Sequence, residues 1–109
     1  MSEEQVNVDV APCGEGVLVR VAGVVDALSL TEVSRELTDA QRGSGPVYVD
    51  LGGVTFMDSR GLGSLLAANE RSREGAAPIR IFRPSDAVRR LLDVSGVGPV
   101  LVEVDELPA

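Results

Sequence analysis

Residues 47–73 read VYVDLGGVTFMDSRGLGSLLAANERSR, a hydrophobic run that passes through a short polar segment into a helical pattern. Residues 47–51 predict a short strand in the centre of a sheet, because strands buried on both faces read as nearly continuous hydrophobic runs. Two glycines and a second apolar run lead from this strand to the polar segment Asp58-Ser59. The polar segment therefore lies at the carboxyl end of a strand, where α/β folds place their functional groups.

A helix is predicted from about residue 59 to residue 73. Its inward-facing side chains are expected to be Leu62, Leu65 and Leu66. An acid or a hydroxyl before such a run is ordinarily only a helix N-cap. Gly61 and Gly63 are harder to explain in this way, because each glycine within a helix costs about 1 kcal/mol relative to alanine. Glycines at these positions allow another backbone or a partner surface to come close, which favours a functional site at the helix start.

The rest of the chain alternates between strand and helix patterns, read from the period of the apolar residues. After two strands joined by a turn, the remaining strands are separated by helices, so they are expected to be parallel with right-handed crossovers. The predicted fold class is α/β, a mixed sheet with an antiparallel N-terminal hairpin, covered by helices in the order β-β-α-β-α-β-α-β. The further strands are predicted at residues 6–11, 16–23, 79–82 and 99–104, and the further helices at residues 29–42 and 84–96.

Polar residues and a glycine mark the ends of the first and third helices. Ser29 and Glu32 have the spacing of a capping box, in which each side chain bonds the backbone amide of the other residue. Ser85 is placed to cap the third helix, and Gly96 is placed to end it in the left-handed conformation.

The composition fits one small domain. The chain has 109 residues, of which 44% are hydrophobic and only 3% aromatic, so the core must consist of aliphatic side chains. The net charge of -7 argues against nucleic acid or an anionic membrane as the main partner. Residues 1–10 lack the layout of a signal peptide, so a cytoplasmic location is expected. We expect residues 1–109 to form a single domain with flexible ends at 1–4 and 105–109.

The residue types that are missing exclude most enzymatic chemistry. The chain has no histidine, and every basic residue is an arginine. It therefore lacks the usual general base, the usual metal ligand, the P-loop lysine and any Schiff-base lysine. We predict that the protein is not an enzyme and has no catalytic residues, metal site or cofactor. The single Cys13 allows no internal disulfide.

The start of the second helix could serve two functions. Free amides and the helix dipole attract anions, which would suit a nucleotide, but the phosphate-binding G-x-x-x-x-G-K-[ST] pattern is absent. The alternative is a covalent switch, in which a phosphoryl group on Ser59 adds about -1.5 to -2 charges at pH 7. Beside Asp58, that charge would repel an acidic or apolar partner surface without changing the fold. Separate kinases and phosphatases would then supply the catalysis.

Three segments resemble the anti-sigma factor antagonists, which are single STAS domains of bacteria. FMDSRGLGSL at residues 56–65 is similar to the Asp-Ser-Ser-Gly-Leu-Gly core of that family, and GVVD at 23–26 to its Gly-Glu-Leu-Asp turn. PSDAVRRLLDVSGV at 84–97 is similar to its Ser-Pro-x-Val-x-x-Leu-Leu-x-x-Ser-Gly-Leu segment. The order of strands and helices matches over nearly the whole chain.

The resemblance implies a function in transcription. Such proteins bind an anti-sigma factor that is also a serine kinase of the GHKL type, and this binding frees a sigma factor. The kinase phosphorylates the serine that follows the motif's aspartate, here Ser59, and a PP2C-type phosphatase removes the phosphate. Asp58 would fix the helix start, and Asp26 would line the docking surface. The partner-binding residues implied by the resemblance are Asp26, Asp58, Ser59, Arg60, Gly61, Leu62 and Gly63.

Two positions depart from the family pattern. Arg60 replaces a small residue after the serine, and it could pair with a phosphate on Ser59, reach an acidic patch of the partner, or simply be solvated. Val24 replaces a polar residue in the turn before Asp26. Two other functions stay open: a STAS scaffold in a stressosome-like or transporter-associated complex, and a nucleotide-binding STAS domain.

Overall fold

The computed structural model describes residues 5–108, so of the flexible ends predicted at 1–4 and 105–109, residues 1–4 and residue 109 lie outside the described residues. The elements follow the predicted order of strands and helices, with a short 3₁₀ helix at Gly98–Val100. The strands are β1 (Asn7–Cys13), β2 (Gly16–Val25), β3 (Val47–Met57), β4 (Ile79–Phe82) and β5 (Glu103–Val104), and the helices are α1 (Leu30–Ala40), α2 (Ser59–Arg73) and α3 (Asp86–Ser95).

The sheet has the spatial order β1-β2-β3-β4-β5, with β1 antiparallel to β2 and each later pair parallel. The predicted α/β class and the antiparallel hairpin are therefore confirmed. Because consecutive parallel strands are neighbours and crossovers are right-handed, the three connecting helices all pack on the same face of the sheet. Contacts of α2 with both α1 and α3 agree with this single helical layer. The opposite face, which we call the helix-free face, carries no helix among residues 5–108.

The core lies between the sheet and the helical layer and is aliphatic, as predicted. In the sheet, Val19 aligns with Val49 and Val49 with Ile81, so one row of buried side chains crosses three strands. The helices contribute apolar side chains at helical spacing to the same cluster. The fully or nearly buried ones are Val33, Leu37, Leu62, Leu65, Ala68, Val88 and Leu92.

The central strand is longer than predicted. β3 does not end at residue 51 but continues through Gly52 and Gly53 to Met57. Its register against β2 shifts at two places, each of which adds a residue to β3, so this part of the strand is bulged rather than broken. A side chain at Gly53 would come within 2.8 Å of the Ala22 methyl, which explains the glycine where the two strands approach closely.

The last strand is shorter than predicted. Residues 98–100 form the 3₁₀ helix, and β5 comprises only Glu103–Val104. Pro99 has a fixed φ and no amide to donate to a sheet, and the turn is closed by the amide of Val100 donating to Val97 over 2.9 Å. The predicted ends of α3 are confirmed, because the Ser85 hydroxyl accepts from the Val88 amide and Gly96 has φ 75°.

A buried acid is held on the helix-free face. Asp50 alternates with the core residues Val49 and Leu51, so its side chain points away from the helices, yet it is only 1% exposed. Its carboxylate accepts from the Gly52 amide at 2.9 Å, and its two oxygens pair with Nε and Nη2 of Arg83 and with Nε of Arg20.

The surroundings of Asp50 stabilise its ionised form. Burial acts to raise the pKa of its carboxyl, but the hydrogen bond from the Gly52 amide, together with the guanidinium groups of Arg83 and Arg20, outweighs this and lowers the pKa below its usual 3.8. Arg83 has a left-handed φ of 51°, which is unusual for a residue other than glycine. The ion pair with Asp50 holds Arg83 against the sheet.

Candidate functional site

Two acidic residues follow the carboxyl ends of neighbouring strands. Val25 and Met57 are paired at the last register position of β2 and β3. Asp26 and Asp58 are the next residues, and the Asp58 amide donates to the Val25 carbonyl over 3.2 Å. The two strand ends therefore bring the GVVD turn and the DSRGLG segment together at one edge of the domain.

Asp58 caps helix α2. Its backbone is extended, with φ -100° and ψ -175°, and its Oδ1 accepts from the amides of Arg60 at 3.0 Å and Gly61 at 3.1 Å. The carboxylate thereby satisfies two free amides of the helix start and puts a negative charge at the positive end of the helix dipole. A nucleotide phosphate could take this place only by displacing Asp58, so the geometry disfavours the nucleotide-binding alternative.

Ser59 is the first residue of α2, and it is exposed. Its hydroxyl is therefore accessible to another protein. The Arg60 guanidinium lies 3.8 Å from Oδ2 of Asp58, and its side chain is 66% exposed. Such a loose surface ion pair adds little to stability, so Arg60 can turn toward another anion at low cost.

The two glycines of the segment have different surroundings. A methyl group at Gly61 would lie 2.7 Å from Cγ of Met57 and 2.8 Å from Cγ1 of Val25, so Gly61 lets the helix start pack closely on the sheet. A methyl group at Gly63 would meet nothing within 4 Å, and Gly63 is exposed. Of the predicted docking residues, the structure thus places Gly61 and Leu62 inside the domain and leaves Gly63 on its surface.

The Asp26 turn is fixed by hydrogen bonds. Oδ1 of Asp26 accepts from the amides of Leu28 at 3.0 Å and Ser29 at 3.2 Å. The Ser29 hydroxyl accepts from the Asp26 amide at 3.0 Å and donates to the Val24 carbonyl at 2.7 Å. This arrangement is an Asx turn that locks the chain between β2 and α1.

The predicted capping box of α1 is wrong. Ser29 is the N-cap residue, but its side chain makes no capping hydrogen bond to the helix. Its hydroxyl is already engaged with Asp26 and Val24, which are on the preceding turn. Hydrogen bonds to Asp26 and to the end of β2 have therefore overridden the capping-box spacing with Glu32.

A cavity of about 500 Å³ opens beside the Asp26 turn. Its walls combine apolar side chains with two carboxylates, and among residues 5–108 no basic residue lines it. The lining residues are Gln5, Val6, Val24, Asp26, Leu28, Ser29 and Glu32.

Two exposed apolar residues at this edge were not singled out by the sequence analysis. Leu28 is 94% exposed, and Phe56 is 50% exposed. Phe56 is paired in the sheet with Val24, which lines the cavity together with Leu28. The sequence does carry a signal for Leu28, because this leucine lies between Asp26 and Ser29 and outside the apolar stripe of α1.

We define the docking edge as Asp26, Leu28, Phe56, Asp58, Ser59, Arg60 and Gly63. It combines one accessible hydroxyl, two capping or turn-forming carboxylates, one exposed cation and apolar surface. Over residues 5–108, the helices are all too short or too polar to cross a membrane.

Comparisons with known proteins agree with this architecture. A family model described as "Mlab, STAS domain" matches residues 8–103. An anti-sigma-B factor antagonist of Staphylococcus aureus is 31% identical over 80 residues, which cover 72% of this chain and 74% of the relative.

Solved structures share the fold. An anti-sigma factor antagonist from Mycobacterium paratuberculosis superposes with a TM-score of 0.82 at 18% identity, covering 94% of this chain and 87% of the other. The Bacillus cell fate determinant SpoIIAA in its phosphorylated form superposes with a TM-score of 0.69 at 22% identity, covering 92% and 93%. The family match over most of the chain and the identity to the S. aureus protein show that this chain belongs to the STAS-domain family of anti-sigma factor antagonists.

Proposed function

We propose that this anti-sigma factor antagonist binds an anti-sigma factor with serine kinase activity through the docking edge, and that phosphorylation of Ser59 switches the binding off. The observation that carries the proposal is the position of Ser59, exposed at the first residue of α2 and directly after the capping Asp58. The solved structure of a phosphorylated relative, SpoIIAA, supports a phosphorylated state for this fold. Release of a sigma factor follows when the antagonist occupies the anti-sigma factor.

A phosphoryl group on Ser59 changes the docking edge without unfolding the domain. It adds about -1.5 to -2 charges at pH 7, at a helix N-terminus where the dipole favours an anion. The added charge lies beside Asp58 and near Asp26, on a chain with a net charge of -7. A partner surface that packs on the exposed apolar side chains of the edge would have to desolvate that phosphate, so binding is lost.

Arg60 sets the strength of the switch. Its guanidinium pairs only loosely with Asp58 and is free to form a charge-assisted hydrogen bond with a phosphate on Ser59. That pairing would reduce the repulsion from the phosphate. Substitution of Arg60 by alanine should therefore increase the loss of affinity on phosphorylation.

The catalytic groups of the cycle lie on other proteins. The chain has neither histidine nor lysine, so a GHKL-type kinase would add the phosphate and a PP2C-type phosphatase would remove it. In this proposal residues 1–109 act as one cytoplasmic domain, and the interactions are with proteins rather than with nucleic acid or membrane.

The direct test uses the purified full chain with the candidate kinase and ATP. Intact mass should increase by one phosphate in the parent and in Ser44→Ala, and should stay unchanged in Ser59→Ala. Ser44 is a matched control, because it is an exposed serine in the loop before β3, at the opposite end of that strand. Ser59→Ala should bind the partner constitutively, and Ser59→Asp should bind it more weakly. Equal affinity of both variants and the parent would refute the switch.

A scaffold function is the second candidate. The helix-free face carries no helix among residues 5–108 and provides a second surface beyond the start of α2, through which a STAS domain could join a stressosome-like or transporter-associated complex. Co-purification separates the two functions: a small kinase partner supports the switch, and a large homotypic assembly or a membrane transporter supports the scaffold. Calorimetric titration with ATP and GTP tests the nucleotide alternative, which predicts saturable heat.

A further inference from the structure

We propose that Leu28 is the apolar anchor by which the anti-sigma factor docks beside Ser59; this inference rests on the proposed function. The occupant to which we commit is an apolar socket on that partner protein, with basic groups on the side that faces Asp26 and Glu32. Three properties of Leu28 support this role: its exposure, the hydrogen-bonded turn that carries it, and its position at the docking edge. None of them depends on phosphorylation.

Leu28 is the most exposed large apolar residue among residues 5–108, at 94%. Single exposed hydrophobic residues are common on proteins and need no explanation by themselves. Leu28 differs because its surroundings at the docking edge are also apolar. Val24 lines the same cavity and is paired in the sheet with the half-exposed Phe56. Leu28 thus shares a cavity with Val24, whose sheet partner Phe56 also offers apolar surface at the end of β3.

The backbone under Leu28 is held rigidly. The Leu28 amide donates to the Asp26 carboxylate over 3.0 Å, and the next residue, Ser29, is tied to Asp26 and to the Val24 carbonyl. Helix α1 begins directly after this turn. A side chain presented on a fixed backbone loses little conformational freedom when a partner buries it, which is a property of binding anchors.

The position of Leu28 couples it to Ser59. The turn that carries it follows β2, and Ser59 follows the neighbouring strand β3, whose Asp58 amide is bonded to Val25. A protein that covers Leu28 with a surface of ordinary size therefore also covers the first turn of α2. A phosphate on Ser59 would then lie in or next to the buried apolar contact, which explains how one modification at this site can release the partner.

The charged residues around Leu28 indicate which side chains the partner's socket carries. Asp26 and Glu32 flank Leu28 around the cavity, and none of the lining residues is basic. A partner with lysine or arginine side chains on the cavity side of an apolar depression complements Asp26 and Glu32. Its side toward Ser59 is apolar and would have to desolvate a phosphate there.

Binding of the full chain to the purified anti-sigma factor of the same organism, measured by titration calorimetry and by surface-immobilised kinetics, tests the anchor. Leu28→Ala should weaken affinity by at least about tenfold, mainly through faster dissociation, as truncation of an anchor does. Leu28→Met should stay within about threefold of the parent, since it restores the apolar volume. Val94→Ala is the matched control, because Val94 is 80% exposed on α3 and lies outside the docking edge. That variant should bind like the parent.

The outcomes separate the two proposals. Leu28→Ala should keep the parent's melting temperature, because the side chain buries almost nothing in the domain. If Leu28→Ala binds within about twofold of the parent, the anchor is refuted while the proposed function stands. If the parent itself does not bind the anti-sigma factor, the proposed function fails and the anchor fails with it.

Discussion

Adding one methyl group at Gly61 or at Gly63 should have opposite effects on stability. Both glycines lie near the start of α2, two residues apart, and both would gain helix propensity on substitution by alanine. That gain is about 1 kcal/mol in each case, because glycine is the poorer helix former by this amount. The difference between Gly61→Ala and Gly63→Ala therefore reports mainly what the new methyl group contacts.

The contacts of the new methyl group predict whether each substitution stabilises or destabilises the domain. At Gly61 the methyl carbon would lie 2.7 Å from Cγ of Met57, 2.8 Å from Cγ1 of Val25 and 3.0 Å from the Val25 carbonyl oxygen. These neighbours are buried, so the helix start has to move or the core has to rearrange, and overpacking of this kind costs about 1–3 kcal/mol. At Gly63 the methyl group enters open space. Gly63→Ala should thus exceed Gly61→Ala in the free energy of unfolding by about 1–3 kcal/mol.

Thermal unfolding measures this difference directly. In a domain of this size 1 kcal/mol corresponds to about 4–8 °C in melting temperature, so Gly63→Ala should melt at least about 4 °C above Gly61→Ala and also above the parent. Urea denaturation compares the same variants at constant temperature, provided that the unfolding free energy falls with urea concentration at the same slope in each variant. Equal melting temperatures, or a Gly61→Ala variant more stable than the parent, would show that α2 does not pack on Val25 and Met57 as described.

Three further predictions concern the same edge and the buried acid. Gly63→Ala, although more stable, should bind the anti-sigma factor more weakly in calorimetry, because the methyl group stands between α2 and the partner. Asp58→Ala should lose about 1 kcal/mol of unfolding free energy through the lost N-cap, while Asp58→Asn should keep it in the same thermal melts. Because the pKa of Asp50 is lowered below 3.8 in the folded chain, its carboxylate stabilises the fold fully above that pH and less as the pH falls below it. Asp50→Asn should therefore be destabilised at neutral pH, with a gap from the parent that narrows in acid denaturation; a constant gap would contradict the assignment.

Much of the fold was predictable because local and tertiary preferences agree. The strand and helix order follows from hydrophobic period alone, and sequential parallel strands then fix the topology. Ser85 and Gly96 were correctly placed as the ends of α3, because a cap and a left-handed stop depend only on neighbouring backbone. Asp58, weighed as an ordinary N-cap, is in fact the cap of α2.

The errors occur where contacts that the local pattern does not report decide the outcome. Ser29 fails to form its capping box because its hydroxyl is already bonded to the turn that follows β2. β3 continues through Gly52 and Gly53 because it bulges against β2 at this point. No local signal in the sequence reveals these bulges. The pairing of Asp50 with Arg20 and Arg83 joins residues up to 33 positions apart, so it could not be read from spacing.

The candidate site was only partly predictable for the same reason. The family resemblance indicated Asp26, and the resemblance together with the position of the polar segment indicated Asp58 and Ser59, but neither reports how closely each residue of the helix start packs on the sheet. Only the structure shows that Gly61 serves internal packing while Gly63 leaves the surface open, although the two glycines look equivalent in the sequence. Gly61 is buried where α2 packs on β2 and β3, and the Asp26 turn follows the end of the same strand β2. The close packing of α2 and the rigidity of the docking edge therefore have a single cause. Loosening that packing should therefore weaken partner binding even where no contact residue is changed.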